Sequence, residues 1–112
     1  MGGTASDPGK LIYQAGGAHS GGGIHTGRTV IPRWTWNHVV FVRDGGRVRI
    51  HLNGNPRPEI AVDVPLDAAP RSEQFFFGGR SDGVANWEGR LDEIAVFDRV
   101  LSEREVHALS AP

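Results

Sequence analysis

Trp36-Asn37-His38-Val39-Val40-Phe41-Val42, followed by Asp44-Gly45-Gly46, then Val48-Arg49-Ile50-His51-Leu52 and Asn53-Gly54, is the stretch that decides the fold. Val39, Val40, Phe41 and Val42 are apolar on both parities, the pattern of an inner strand covered on both faces. Asp44-Gly45-Gly46 supplies the positive-φ residues that a tight hairpin needs. The next strand alternates, with Val48, Ile50 and Leu52 on one face and Arg47, Arg49 and His51 on the other. That parity predicts an exposed His51. Asn53-Gly54 is a second hairpin signal, because Asn tolerates left-handed φ almost as Gly does.

Downstream of Pro56 and Pro58, Ile60, Val62 and Val64 repeat the period of two, and residues 74–78 and 91–97 read as two further strands. Upstream, residues 1–9 have no periodicity and are expected to be a disordered lead-in, with a domain over residues 10–112. Residues 10–15 and 24–31 are the first two candidate strands, separated by a wide loop at Gly16-Gly17-Ala18-His19-Ser20-Gly21-Gly22-Gly23. Pro32 closes the second, since proline cannot donate to a ladder. The pattern predicts about seven strands. The expected class is all-β, an antiparallel sandwich.

One short helix is expected at the C-terminal end, over residues 103–109. Ser102 is placed as its N-cap and Glu105 stands at the capping-box position, while Leu101 and Val106 have the spacing of a hydrophobic staple. A helix this short does not persist alone, so Val106 and Leu109 must dock onto the sheet.

Composition excludes several classes. The chain has 112 residues and a net charge of −1, which gives no basic field for nucleic acid. It has no cysteine, hence neither disulfides nor thiolate metal sites. No apolar run approaches the roughly 18 residues of a membrane span, and the first residues lack a signal-peptide layout.

Catalytic constellations are weak. Asp92 and Glu93 are neighbours on an expected strand and point to opposite faces. Glu88 and Asp92 share a parity, but four strand residues span about 13 Å, wider than the roughly 5–9.5 Å between glycosidase carboxylates. None of the serines lies in a nucleophile elbow, and the chain is not expected to be an enzyme. His19 and His25 flank a glycine-rich loop and are read as solvated rather than as metal ligands. His107 is a helix-surface residue. Gly21-Gly22-Gly23 leads into strand-like Ile24 instead of a helix N-terminus, so it is a loop and not a phosphate cradle.

The phrases Trp36 with His38-Val39, Asn53-Gly54, Gly78-Gly79, Gly89 before Leu91-Asp92-Glu93-Ile94, and Leu101-Ser102 with Glu105-Val106 carry a family likeness. Residues 36–109 resemble the C-terminal half of a laminin-G-like jelly-roll module of the concanavalin-A-like lectin/glucanase superfamily, and residues 11–31 resemble it loosely. His51 stands where that family usually has Tyr, and Trp87 where Phe is common. Modules of the family usually run well beyond this length. The resemblance therefore implies a partial jelly roll, and the chain is expected to be a fragment of a longer protein.

The resemblance also implies site residues. Lectins use aromatic rings to stack on sugars, so Trp34, Trp87 and Asn86 are candidate ligand-binding residues. The family position implies that Trp36 is core and His38 a hydrogen-bonded structural residue; Trp34 and Trp87 stay open between packing and exposure. Related jelly rolls bind Ca²⁺ at the sandwich rim, which makes Asp92 the candidate calcium ligand, with Ser81, Asp82 and Asn86 as further oxygen donors. Calcium is the one cofactor the resemblance implies. The glutamate cluster of glucanase members is absent. The role this implies is that of a non-catalytic module for carbohydrate or glycoprotein recognition within a larger bacterial protein, secreted or in the cell envelope. The alternative is a structural spacer or protein-interaction module with no small ligand. Its partners would be a glycan, another protein or neighbouring domains of a longer chain, not nucleic acid.

Overall fold

The computed structural model describes residues 8–14, 24–64, 77 and 90–110. Five strands run in the order β1 (Ile12–Gln14), β2 (Ile24–Thr26), β3 (Val39–Asp44), β4 (Arg47–Leu52) and β5 (Ile60–Asp63), followed by helix α1 (Glu103–Ser110). They form two antiparallel sheets, β1-β2 and β3-β4-β5. The architecture is mostly β with one short C-terminal helix, in keeping with an incomplete jelly-roll sandwich.

β4 anchors the larger sheet. Its period-two alternation buries Val48, Ile50 and Leu52 on one face. Val48 and Ile50 join Ile60 and Val64 in a core that Leu11, Tyr13 and Val62 cover. The hairpin β1-β2 thus lies over this face, and the Tyr13 ring stands 5.6 Å from that of Phe41. Each such apolar side chain contributes roughly 1.5–3 kcal/mol on burial.

Register places Val40 opposite His51 and Val42 opposite Arg49, so these four share the other face. There Val42 packs with Leu101 and Val106, and Val40 flanks the cluster. The face that alternation marks as polar is therefore the face α1 covers. His51 is only 1% exposed, contrary to its expected exposure, and its Nδ1 lies 3.0 Å from the Asn55 carbonyl. The expectation for β3 also changes. Among the described residues β3 pairs with β4 alone, and Val39 and Phe41 are half-exposed, so β4 and not β3 is the inner strand.

Turn chemistry agrees with the residues. Gly45 takes φ 60° in the β3-β4 turn, and Asn53 and Gly54 take 52° and 74°. The Asn55 amide donates to the Leu52 carbonyl at 3.1 Å and closes that second turn. The chain then runs through Pro56 and Pro58 before β5, a longer connection than a two-residue hairpin.

β2 stops at Thr26, short of the expected residue 31. The amides of Arg28 and Thr29 turn to the Glu59 carboxylate, at 3.4 and 3.0 Å, instead of continuing the ladder. Glu59 is buried and is also 3.6 Å from the Arg28 guanidinium. Gly9, at the end of the expected lead-in, accepts a 2.8 Å bond from the Ile31 amide.

α1 begins as expected. Glu105 N donates to Ser102 Oγ and Ser102 N donates to Glu105 Oε1, both at 3.2 Å, which is a reciprocal capping box. Leu101 and Val106, the staple pair, are both buried in one cluster, whereas Leu109, expected to dock with Val106, is exposed. Arg99 grips the Glu105 carboxylate with both terminal nitrogens. That pairing, with the Ser102 amide second, lowers the Glu105 pKa from an ordinary 4.5 to about 2.

Residues 91–97 do not form the expected strand. Glu93 has φ 51°, outside the strand region, and its amide bonds Asp92 Oδ1 at 2.8 Å, which breaks the alternation in mid-segment. Leu91, Ile94, Val96 and Phe97 are left largely exposed. The expected loop at 16–23 lies outside the described residues, as does the strand at 74–78 apart from Phe77.

Candidate functional site

Between β2 and β3 the chain crosses a polar bridge that displays two indoles. Pro32, proline-fixed and unable to donate, ends the run from β2, and the turn at Arg33-Trp34 comes next. Trp34 occupies the left-handed region at φ 64° and is 99% exposed. A bulky residue there costs on the order of 1–2 kcal/mol relative to ordinary backbone. Trp36 is 67% exposed, which corrects its assignment to the core. It lies ahead of β3, in a segment whose side-chain hydrogen bonds are made by Thr35 and Asn37.

Those bonds form a ladder of side chains. Thr35 Oγ1 donates to the Pro32 carbonyl at 2.7 Å. Asn37 Nδ2 donates to the Thr35 carbonyl at 3.1 Å and to Thr35 Oγ1 at 3.0 Å. Asn53 Nδ2 donates to Asn37 Oδ1 at 3.1 Å, and Asn53 Oδ1 accepts from the His38 amide at 2.8 Å. The Asn53 amide returns a 2.7 Å bond to the His38 carbonyl. The bridge is thereby tied to the β4-β5 turn.

The turn is held from its other side by α1. His107 Nδ1 lies 2.8 Å from the Gly54 carbonyl. A methyl on Gly54 would overlap the Ser110 hydroxyl and come within 2.8 Å of Ser110 Cβ. Only a glycine lets the helix end sit this close. His107, read as a plain surface residue, thus also latches the helix to the turn.

The remaining candidates separate from this site. His25 stacks on Tyr13 in the β1-β2 hairpin, with ring centroids 6.3 Å apart. His38 gives its backbone to Asn53, while its ring Nδ1 is buried with no hydrogen-bond partner among the described residues. Asp92 is exposed and uses Oδ1 on the Glu93 amide. Among the described residues no three His, Asp or Glu side chains come together as a metal-binding group. Trp87, Asn86, Ser81, Asp82, Glu88 and His19 lie outside the described residues. Nothing local in the sequence marks Asn37 and Asn53 as parts of the site; the Asn-Gly pair is legible only as a turn. The Glu59 clamp likewise has no local signal in the sequence, since its partners lie about thirty residues away.

No curated protein matches the chain, and among the described residues no helix is long and apolar enough to cross a membrane. Its fold is similar to the crystal structure of residues 221–444 of an S-layer domain-containing protein from Clostridium thermocellum ATCC 27405. The TM-score is 0.59 at 17% identity, over 80% of this chain and 45% of that one. The chain thus spans less than half of that neighbour. Residues 4–107 match the Laminin_G_3 family of the concanavalin A-like lectin/glucanase superfamily. A match over nearly the whole length, on a two-sheet β-architecture with a capped C-terminal helix, identifies this chain as a member of the concanavalin A-like lectin/glucanase superfamily.

Proposed function

We propose that this module is non-catalytic and binds carbohydrate, free or on a glycoprotein, through the Trp34 and Trp36 loop. The observation that carries the reading is Trp34, a fully exposed indole held at a left-handed φ. Strain of this kind persists where the surroundings over-determine it, and it concentrates at ligand sites. A flat apolar ring in water complements the C–H face that a pyranose presents. Trp is also among the residue types enriched at protein–protein binding hot spots.

A glycan array tests it. Saturable binding that is lost in both Trp34→Ala and Trp36→Ala, with the melt unchanged, supports the reading. A blank array from folded protein favours the second reading, a spacer or protein-interaction module with no small ligand. That alternative draws on the exposed apolar run of Leu91, Ile94, Val96 and Phe97. The S-layer protein's shared fold supports placing this chain within a longer secreted or envelope protein.

Calcium at Asp92 is part of the proposal. Asp92 keeps Oδ2 for an ion, and a calcium site needs 6–8 oxygens. With Ca²⁺ supplied, chelator should then lower the melting temperature of the wild type and leave Asp92→Ala unchanged. Equal melts with and without chelator in the wild type would remove calcium from the account.

A further inference from the structure

We infer that Asn53 is the positioning residue of the tryptophan loop, a role that rests on the carbohydrate reading only for its consequence in binding. A left-handed turn at this point needs only a residue that accepts positive φ, which Gly does at least as well as Asn. The carboxamide is therefore surplus to the turn, yet both of its ends are engaged. Nδ2 donates to Asn37 Oδ1 and Oδ1 accepts the His38 amide. Through Asn37 the connection continues to Thr35, and through Thr35 to Pro32. Each indole is bracketed by held residues, Trp34 between Pro32 and Thr35, and Trp36 between Thr35 and Asn37. The base of the clamp is itself fixed, because α1 grips Gly54 through His107. Asn53 thus transfers the rigidity of the β4-β5 turn to two exposed rings, Trp34 wholly in solvent and Trp36 about two-thirds so.

Two substitutions separate turn from clamp. Asn53→Gly keeps the positive φ and removes both side-chain bonds. Asn53→Asp keeps the acceptor for the His38 amide and removes the donor to Asn37. The readout is ¹⁵N relaxation of the Trp34 and Trp36 indole N–H groups, with far-UV circular dichroism and a cooperative melt as fold controls. The order parameters of both indoles should fall in Asn53→Gly, while in Asn53→Asp the fall should be larger at Trp36, the neighbour of Asn37. A merely structural Asn53 would lower the melting temperature and leave the indoles as they were, which would overturn the inference. So would wild-type indoles already as mobile as those of the variant.

The same glycan array then connects the clamp to binding. If the loop spends only about a tenth of its time in the competent arrangement once released, apparent affinity falls about tenfold. A wild type that binds and an Asn53→Gly variant that binds equally well would refute positioning. A wild type that binds nothing, with indoles ordered in wild type and loosened in the variant, would sink the carbohydrate reading and leave the clamp standing.

Discussion

Residues 101–110 and residues 91–97 are near neighbours in the chain and have opposite characters. In the first, Ser102 and Glu105 satisfy each other's amides, Leu101 and Val106 are buried together, and Arg99 reaches in to hold Glu105. In the second, Leu91, Ile94, Val96 and Phe97 face water although the segment is richer in apolar residues, and the one local device is the bond from the Glu93 amide to Asp92 Oδ1. A helix end is specified by residues three and four apart. A strand is specified only by a partner elsewhere, and its alternating pattern is a statement about a surface that must be supplied. Apolar content alone therefore decides little; the difference is whether the burying partner lies within reach of the local sequence.

Paired truncations should expose the contrast most strongly. Leu101→Ala should cost about 2–4 kcal/mol, since it removes a buried side chain from the junction of helix and sheet. Leu91→Ala, half-exposed, should stay within about 0.5 kcal/mol. Both are read from urea melts. A cost at Leu91 near that at Leu101 would show that residues 91–97 are packed in solution.

Gly54→Ala comes next, at about 1–3 kcal/mol, because the added methyl meets Ser110 and occupies a left-handed φ. Hydrogen exchange should show the α1 amides losing protection before those of β4. Uniform loss across the chain would mean that the helix and the turn are not a separate unit.

Ser102→Ala should cost about 1 kcal/mol. Combined with Glu105→Ala in a double-mutant cycle, the two effects should be less than additive, since each residue serves the other's backbone. Strict additivity would refute the box.

The smallest effect is one of pH. The Glu105 carboxylate titrates near 2 in the fold against an ordinary 4.5, with the Arg99 pairing as the main cause. Its contribution is complete above pH 4.5 and is lost as pH falls from there through about 2. Glu105→Gln keeps a capping side chain without the charge, so its melting temperature should approach that of the wild type as pH drops through this window. An unchanging gap between the two would locate the pH dependence elsewhere.

Legibility from the residues divides along the same line. The β3-β4 hairpin, the alternation of Val48, Ile50 and Leu52, the positive φ at Asn53-Gly54 and the capped helix are all local, and each appears as expected. His51 departs from expectation because parity states which face a residue joins and not what covers that face. Trp36 departs because a family position outweighs, in that reading, its place ahead of the strand. Of the site, Trp34 was legible as a candidate. The ladder through Thr35, Asn37 and Asn53 was not, since its final step joins residues 16 apart in sequence.

The Glu59 clamp has a consequence for assembly in time. The amides of Arg28 and Thr29 are made about thirty residues before the carboxylate that receives them. On a chain emerging from the ribosome, N-terminal end first, the run that leads into Pro32 has no acceptor until the β4-β5 connection has been synthesised. The tryptophan bridge is in the same position, waiting for Asn53. Both stretches are early in synthesis and late in setting, so the display of the two indoles reports that the sheet behind them is already built.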